Sequence, residues 1–296
     1  MAGFKNLREY ADAEDLGQYH VTSFRKAVSS TATTTSAWID YSYFPGSPTA
    51  NFYASSPLEA AAVEVERGIR VPSVSPATQV LRNIKLMSAA SSATSTTNGR
   101  QQLILADLLL YYPFIDTDAV GEEQTLTNSV AIPRYSYGQV IAVGQSAAST
   151  TGQFTFSYTN QDGVAGRTSQ NHFTFAIAGG GQIVAASVPS ATSYQPMLAL
   201  QAGDSGVKSI ESVTFTAGGG GLMCLVIVKP LIKSAVTEEC RTNNAAFGSC
   251  TELASIIHQA GAPRVRDGAV LGLLASGYAG SLASSILAGA LEVVWE

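Results

Sequence analysis

Gly203-Asp204-Ser205-Gly206 is the stretch whose residue types could do nucleophilic chemistry, because it has the form of the turn that presents the serine of chymotrypsin-like proteases. A serine hydroxyl is inert until a histidine, itself oriented by a carboxylate, takes its proton. The three histidines are His20, His172 and His258, and none stands in an Ala-Ala-His-Cys context. Val207-Lys208 follows the tetrapeptide in place of a further Gly and Pro, so a glycine-aspartate turn is the better reading. The glycines at 218 to 221 lead into Leu-Met-Cys and lack the Gly-Lys-Ser/Thr of a phosphate-binding loop. Glu122-Glu123 and Glu238-Glu239 are adjacent pairs in loops, the pattern of solvated turns. Asp107 is different. It is the sole charge in the apolar run from Gln102 to Ile115 and needs a partner or an exposed edge there. No CxxC pair or His/Cys spacing points to zinc, and no cofactor is implied. Cys224 reads as a small buried hydrophobe. Cys240 and Cys250 could close a loop, but in a reducing compartment they read as two free thiols.

The elements that must position these residues are short strands. At 296 residues the chain can bury a full core, yet only 13% of it is charged, against roughly a quarter in ordinary soluble domains. Such a surface suits contact with other subunits. The net charge of -5, with Arg264/Arg266 and Lys229/Lys233 as the densest basic pairs, argues against nucleic acid as a partner. The N-terminus has no apolar signal core, which predicts a protein made in the cytosol and kept there until assembly.

Phe4 to Leu16 reads as a helix, with Phe4, Leu7 and Tyr10 recurring at threes and Gly17 ending it. It is too short to be stable alone, so these three residues either dock on their own domain or make assembly contacts with a neighbouring subunit. Val28 to Ala37 is a Ser/Thr-rich tether. Trp38 to Phe44 reads as a strand with Ile39, Tyr41 and Tyr43 on one face, Leu58 to Arg67 leans to strand, and Thr78 to Ala89 is a further strand. Gln139 to Gln145 and Gln153 to Thr159 follow, the latter with Phe154, Phe156 and Tyr158 on one face and a return strand carrying Phe173 and Phe175. Glu211 to Phe215 alternates. The glycines at 218 to 221 then reverse the chain into the unbroken apolar run Leu222 to Val228, which predicts a hairpin whose second strand is covered on both sides. Ala269 to Leu291 contains no charge and has the length of a membrane helix. Its glycines and serines, and the alternation of Leu287, Gly289, Leu291, Val293 and Trp295, predict two strands around a turn instead.

These readings give an all-β chain, a β-sandwich or jelly roll of antiparallel strands with a short N-terminal helix and extended arm. Residues 1–37 form the helix and arm and 38–296 the sandwich domain, with a further division into two packed β-subdomains near 125–135 left open.

The segments YYPFIDTD (111–118), SYTNQDGVAGRTSQ (157–170), LQAGDSGVKSIESVTFT (200–216), LVIVKPL (225–231) and APRVRDGAVL (262–271) together resemble a class of structural proteins encoded by tailed bacteriophages. The resemblance runs from about Tyr41 to Trp295 and leaves the N-terminal helix outside. It implies a virion component rather than an enzyme, most closely a capsid decoration (cement) protein that forms homo-oligomers and contacts the major capsid protein, without nucleic acid or membrane. The alternative within the resemblance is a tail, collar or baseplate component or a carbohydrate-binding tail-tip module. Trp38, Tyr53 and Tyr111-Tyr112 would then be its stacking platforms.

Overall fold

Strand Leu222–Val236 has no polar face over its first half, and the architecture follows from the need to cover it twice. In the computed structural model, which describes residues 4, 6–29, 37–90, 101–147, 150–176, 179–186, 195–236, 239–242, 245–248, 251–252, 263–277 and 282–296, Met223 to Val228 are fully buried. Met223, Leu225 and Ile227 face one core; Cys224, Val226 and Val228 face another. The strand lies inside a seven-stranded middle sheet ordered Trp38–Asp40, Val270–Gly277, Gln101–Asp116, Leu222–Val236, Gln139–Gly144. Its neighbour Gln101–Asp116 is the longest strand, at 16 residues.

That length lets one sheet serve two sandwiches. An eight-stranded outer sheet built on Gln79–Ala90, Ser285–Trp295 and Tyr19–Ala27 packs on one end, where Leu103, Leu105, Leu271, Leu273 and Ile232 meet Leu81, Ile84, Leu287 and Leu291. A six-stranded small sheet built on Gln153–Asn160 and Val207–Ala217 packs on the other, where Leu110, Tyr112 and Leu225 meet Phe154, Phe156, Val213 and Phe215. Two bulges keep the faces in phase. Ile227 pairs with Leu110 and Val228 with Leu108, so Leu109 is left over; Pro230 pairs with Ala106 and Ile232 with Leu105, so Leu231 is left over. Each extra residue reverses the alternation of its strand. Odd-numbered Leu103 and Leu105 thereby share a sheet face with even-numbered Leu110 and Tyr112.

The all-β fold expected from the sequence is the fold observed, with every strand pairing antiparallel. Val207–Ala217 and Leu222–Val236 nevertheless do not form a hairpin. The first pairs with Gln153–Asn160 and Glu123–Thr125 in the small sheet, the second with Gln101–Asp116 and Gln139–Gly144 in the middle sheet. One strand keeps a polar face, with Thr214 half-buried and Thr216 exposed, and the other has none, so they require different surroundings. The glycine stretch carries the chain between layers. At Gly221 φ is +100° and a Cβ would stand 2.6 Å from the Ala147 carbonyl oxygen, so only glycine fits that crossing.

Other differences have local causes. Tyr19–Ala27, inside the segment read as an arm, is a full strand against Ser285–Trp295; only Phe24 and Lys26 point inward, too few to mark it in the sequence. The tether at 30–36 lies outside the described residues, as do Cys250, His258 and the side chain of Cys240. The expected Trp38 to Phe44 strand stops at Asp40, whose carboxylate accepts from the Ser42 amide at 2.8 Å and starts a 3-10 turn over Tyr41–Tyr43. Leu58 to Arg67 holds only the two-residue strand Ala61–Ala62 and a 3-10 turn over Val65–Arg67. In the return strand His172–Thr174 it is His172 and Thr174 that point inward, while Phe173 is half-buried. The C-terminal segment forms Val270–Gly277 and Ser285–Trp295, and among the described residues no helix is long and apolar enough to cross a membrane.

The helix spans Leu7–Asp15. Asn6 caps its start, accepting from the Glu9 amide, and Gly17 (φ +72°) ends it as Gln18 N–H returns to the Ala13 carbonyl at 2.8 Å. It docks on its own outer sheet: Tyr10 and Ala13 pack on Val294, Phe4 lies edge-on to Tyr10, and Arg82 bonds Glu14 at 2.7 Å. Leu7 points away, 64% exposed.

Gly289 crosses close to its neighbours, where a Cβ would lie 2.1 Å from the Lys85 carbonyl oxygen and 2.9 Å from the Phe24 ring. Gly289→Ala should therefore lower the free energy of unfolding by about 1–3 kcal/mol in urea titrations. Ala290→Ser on the outer face should stay within about 0.5 kcal/mol of wild type.

Candidate functional site

The Gly203–Gly206 turn is a structural clamp. Asp204 accepts from the Tyr158 hydroxyl (2.6 Å), Asn160 Nδ2 (2.8 Å) and Arg167 Nε (2.9 Å), tying three positions of the small sheet together. The Arg167 bonds, followed by that from Tyr158, hold its carboxyl down at about 2. Ser205 is exposed, and its amide donates to Gln161 Oε1 at the far end of Gln153–Asn160. His172 sits opposite Phe154 at the near end, stacked on Phe156 at 5.5 Å, and burial pulls its pKa down to about 4. About seven residues of strand separate the two, roughly 20 Å, so no proton passes from this serine to this histidine.

A second buried network fastens the loop after Asp40. Lys26, 4% exposed, donates through Nζ to the carbonyls of Ser42, Phe44 and Thr49 at 3.2–3.3 Å, while Asp40 accepts from Ser42 Oγ and the Tyr53 hydroxyl. Every donor of the ammonium is satisfied by backbone, which is the work of a loop clamp. The proposed stacking platforms are buried too: Trp38 is 5% exposed, Tyr111 7%, and Tyr53 and Tyr112 not at all. Phe52, 55% exposed and edge-on to Tyr43 at 5.2 Å, is the aromatic among the exposed large hydrophobics.

Asp107 finds its partner at the seam between the two sandwiches, flanked by Leu105 of one core and Leu109 of the other. Arg134 reaches it from the loop after Glu123–Thr125 with two bonds, Nη2 to Oδ1 at 2.7 Å and Nε to Oδ2 at 3.1 Å, and also donates to the Leu108 carbonyl. The Val270 amide supplies a further bond at 3.0 Å. Burial pushes the Asp107 carboxyl up from its ordinary value, and the Arg134 bonds pull against it.

Around this pair the chain gathers cations that are scattered in the sequence. Tyr135 lies between Lys229, whose Nζ is 5.9 Å from the ring centre, and Arg266, whose Cζ is 5.7 Å from it; Lys229 also sits 4.6 Å over Tyr137. Beside them opens a cavity of about 350 Å3 lined by Pro76 to Gln79, Arg134 and Arg264 to Asp267. Asp267 is turned to the wall, accepting from Ser73 Oγ and the amides of Val74 and Ser75. Gln79, 1% exposed, donates to Pro72 and Asp267 while its Oε1 has no hydrogen-bond partner. The site is suited to hold oxyanions, since two planar guanidinium groups stand exposed at its rim. In the sequence Asp107 and the Arg264/Arg266 pair stand out separately. Arg134, with φ +61°, was not visible, because nothing local marks a loop arginine as the partner of a strand 27 residues away.

Among the described residues no group of three His, Cys, Asp or Glu side chains is placed to hold a metal ion. No protein-family model, curated protein or solved structure matches this chain.

Asp107→Leu, which leaves the Arg134 guanidinium unpaired at the seam, should cost about 3–5 kcal/mol of stability, and the double change with Arg134→Met should restore most of it. The Asp204 clamp makes a pH prediction. A carboxyl with a folded pKa of about 2, below its ordinary 3.8, stabilises the fold above about pH 4 and loses that contribution as pH falls toward 2. The gap in urea midpoint between wild type and Asp204→Asn should therefore be widest near neutral pH and narrow steadily from pH 4 to pH 2.

Proposed function

We propose that this chain is a structural subunit of a tailed-bacteriophage particle, most closely a capsid decoration protein that assembles through its own surface. The observation that carries the reading is the outer face of the eight-stranded sheet. Beyond the docked helix that face presents Val21, Ser23 and Arg25 beside Ala288, Ala290 and Glu292, and then Lys85 and Met87. Val21 is 40% exposed and Met87 51%, with Leu7 at 64% and Leu16 at 70% on the helix. Small side chains, exposed aliphatic groups and one ion pair, Lys85 with Glu292 at 3.3 Å, form a surface suited to close approach by another subunit.

Two further features support it. The buried acids and bases described above, Lys26, Asp40, Asp107 and His172, are held among strands and loops rather than in a cleft beside a nucleophile. The segments that resemble phage structural proteins fall on the scaffold that both sandwiches use: Leu225 to Leu231 lies in the central strand and Tyr111 to Asp116 in its long neighbour. A glycan-binding role draws no comparable support, because the aromatic residues first considered for stacking lie in the core.

Quantitative mass spectrometry of purified particles should find the chain at a fixed copy number per particle. Val21→Asp with Met87→Asp should reduce its incorporation at least tenfold while changing unfolding stability by less than about 1 kcal/mol. A stable monomer absent from purified particles contradicts the reading.

A further inference from the structure

The cavity at the seam has a counterpart on the opposite end of the same molecule. We infer that the arginine-rimmed cavity of one subunit receives the acidic loop 116–123 of a second copy, an inference that rests on the self-assembling role proposed above. The loop carries Asp116, Asp118, Glu122 and Glu123, all exposed, around Val120, which is 48% exposed at the tip. From residue 101 to residue 133 the chain has no lysine or arginine to offset them. Among the described residues the side chains of Glu122 and Glu123 make no hydrogen bond or ion pair. Yet the backbone between them and Asp116 is fixed: Gly121 N–H donates to the Phe215 carbonyl at 2.8 Å, Gly220 N–H to Asp118 Oδ1 at 2.8 Å, and Gln124 Nε2 to the Asp116 carbonyl at 2.7 Å. A preorganised loop loses little entropy on docking.

The cavity matches it in charge and shape. Arg134, Arg264 and Arg266 line it with a single carboxylate, Asp267, which is already engaged, and Lys229 lies nearby over Tyr137. Lys229 and Arg266 flank one tyrosine ring, an arrangement that an incoming carboxylate relieves. Pro76, Ala77 and Val265 form an apolar wall for the Val120 side chain, and at about 350 Å3 the space accommodates a loop tip. The loop cannot reach the cavity of its own chain. Asp107, bonded to Arg134, and Asp116 stand nine residues apart on one extended strand, roughly 30 Å. The contact is therefore head-to-tail between copies, which builds a ring or a row rather than a closed pair.

A charge-swap pair of full-length variants tests this by sedimentation velocity. Arg264→Glu with Arg266→Glu disables the cavity, and Glu122→Lys with Glu123→Lys disables the loop; all four side chains are exposed, and circular dichroism checks that both variants fold. Wild type should self-associate with a Kd that weakens at least about tenfold between 50 and 500 mM salt. Each variant alone, with like charges facing, should lose at least about tenfold in Kd, and an equimolar mixture should regain self-association, because the acidic cavity of one variant meets the basic loop of the other while the unaltered cavity and loop still match. Variants that assemble as wild type does would overturn the inference while leaving the particle role standing. A wild type that stays monomeric at low salt, or a mixture without complex, would overturn it as well.

Discussion

A strand with no polar face must be covered on both sides, and Leu222–Val236 imposes that condition on everything around it. With Cys224, Val226 and Val228 on one face and Met223, Leu225 and Ile227 on the other, all fully buried, it can exist only in the middle layer. Six such side chains remove enough apolar surface from water to be worth on the order of 10 kcal/mol before entropy is counted. One face is covered by the two flanking sheets and the other by Trp38, Tyr53, Val63 and Ile183. Because Gln101–Asp116 and Leu222–Val236, at 16 and 15 residues, reach both covering sheets, two sheets share one middle layer, and the bulges at Leu109 and Leu231 keep the inward face continuous across the change of partner.

Polar groups inside this body act at the joints. Asp107 with Arg134 sits where the two cores meet, Asp204 closes the end of the small sheet, and Lys26 with Asp40 fixes the loop that covers the middle sheet. Each charge is satisfied by several hydrogen bonds, the condition under which buried ions specify an arrangement rather than disrupt it. Exposed charge is divided by sign, acid at the loop 116–123 and base at the seam. Few other charges compete with these two patches on a chain that is 13% charged.

Much of the fold was legible in the sequence because alternation is a direct record of burial. Phe154, Phe156 and Tyr158 mark one strand and Val213 and Phe215 another, and the chargeless C-terminal segment resolved into two strands through Leu287, Leu291 and Val293. Pairing was less legible. Val207–Ala217 and Leu222–Val236 look like a hairpin because a glycine turn joins them, and only the difference in their coverings sends them to separate sheets. Strand Tyr19–Ala27 hid because an edge-side strand with two inward residues resembles a tether. The candidate site was legible only in fragments: Asp107 announced a missing partner and Arg264/Arg266 a local pair, but the loop holding Arg134 is positioned by long-range packing that no local pattern records.

The central claim is that the shared middle sheet makes both sandwiches one cooperative body. Native-state hydrogen exchange of the intact chain tests it most directly, by following amides of Leu222–Val236 and Gln101–Asp116 alongside those of the two covering sheets through a urea series. The account predicts that the two middle strands exchange last, only through global unfolding, and that both covering sheets merge with that transition at the same urea concentration. Separate transitions, with the small sheet opening and closing while the middle strands keep their protection at both ends, would contradict it.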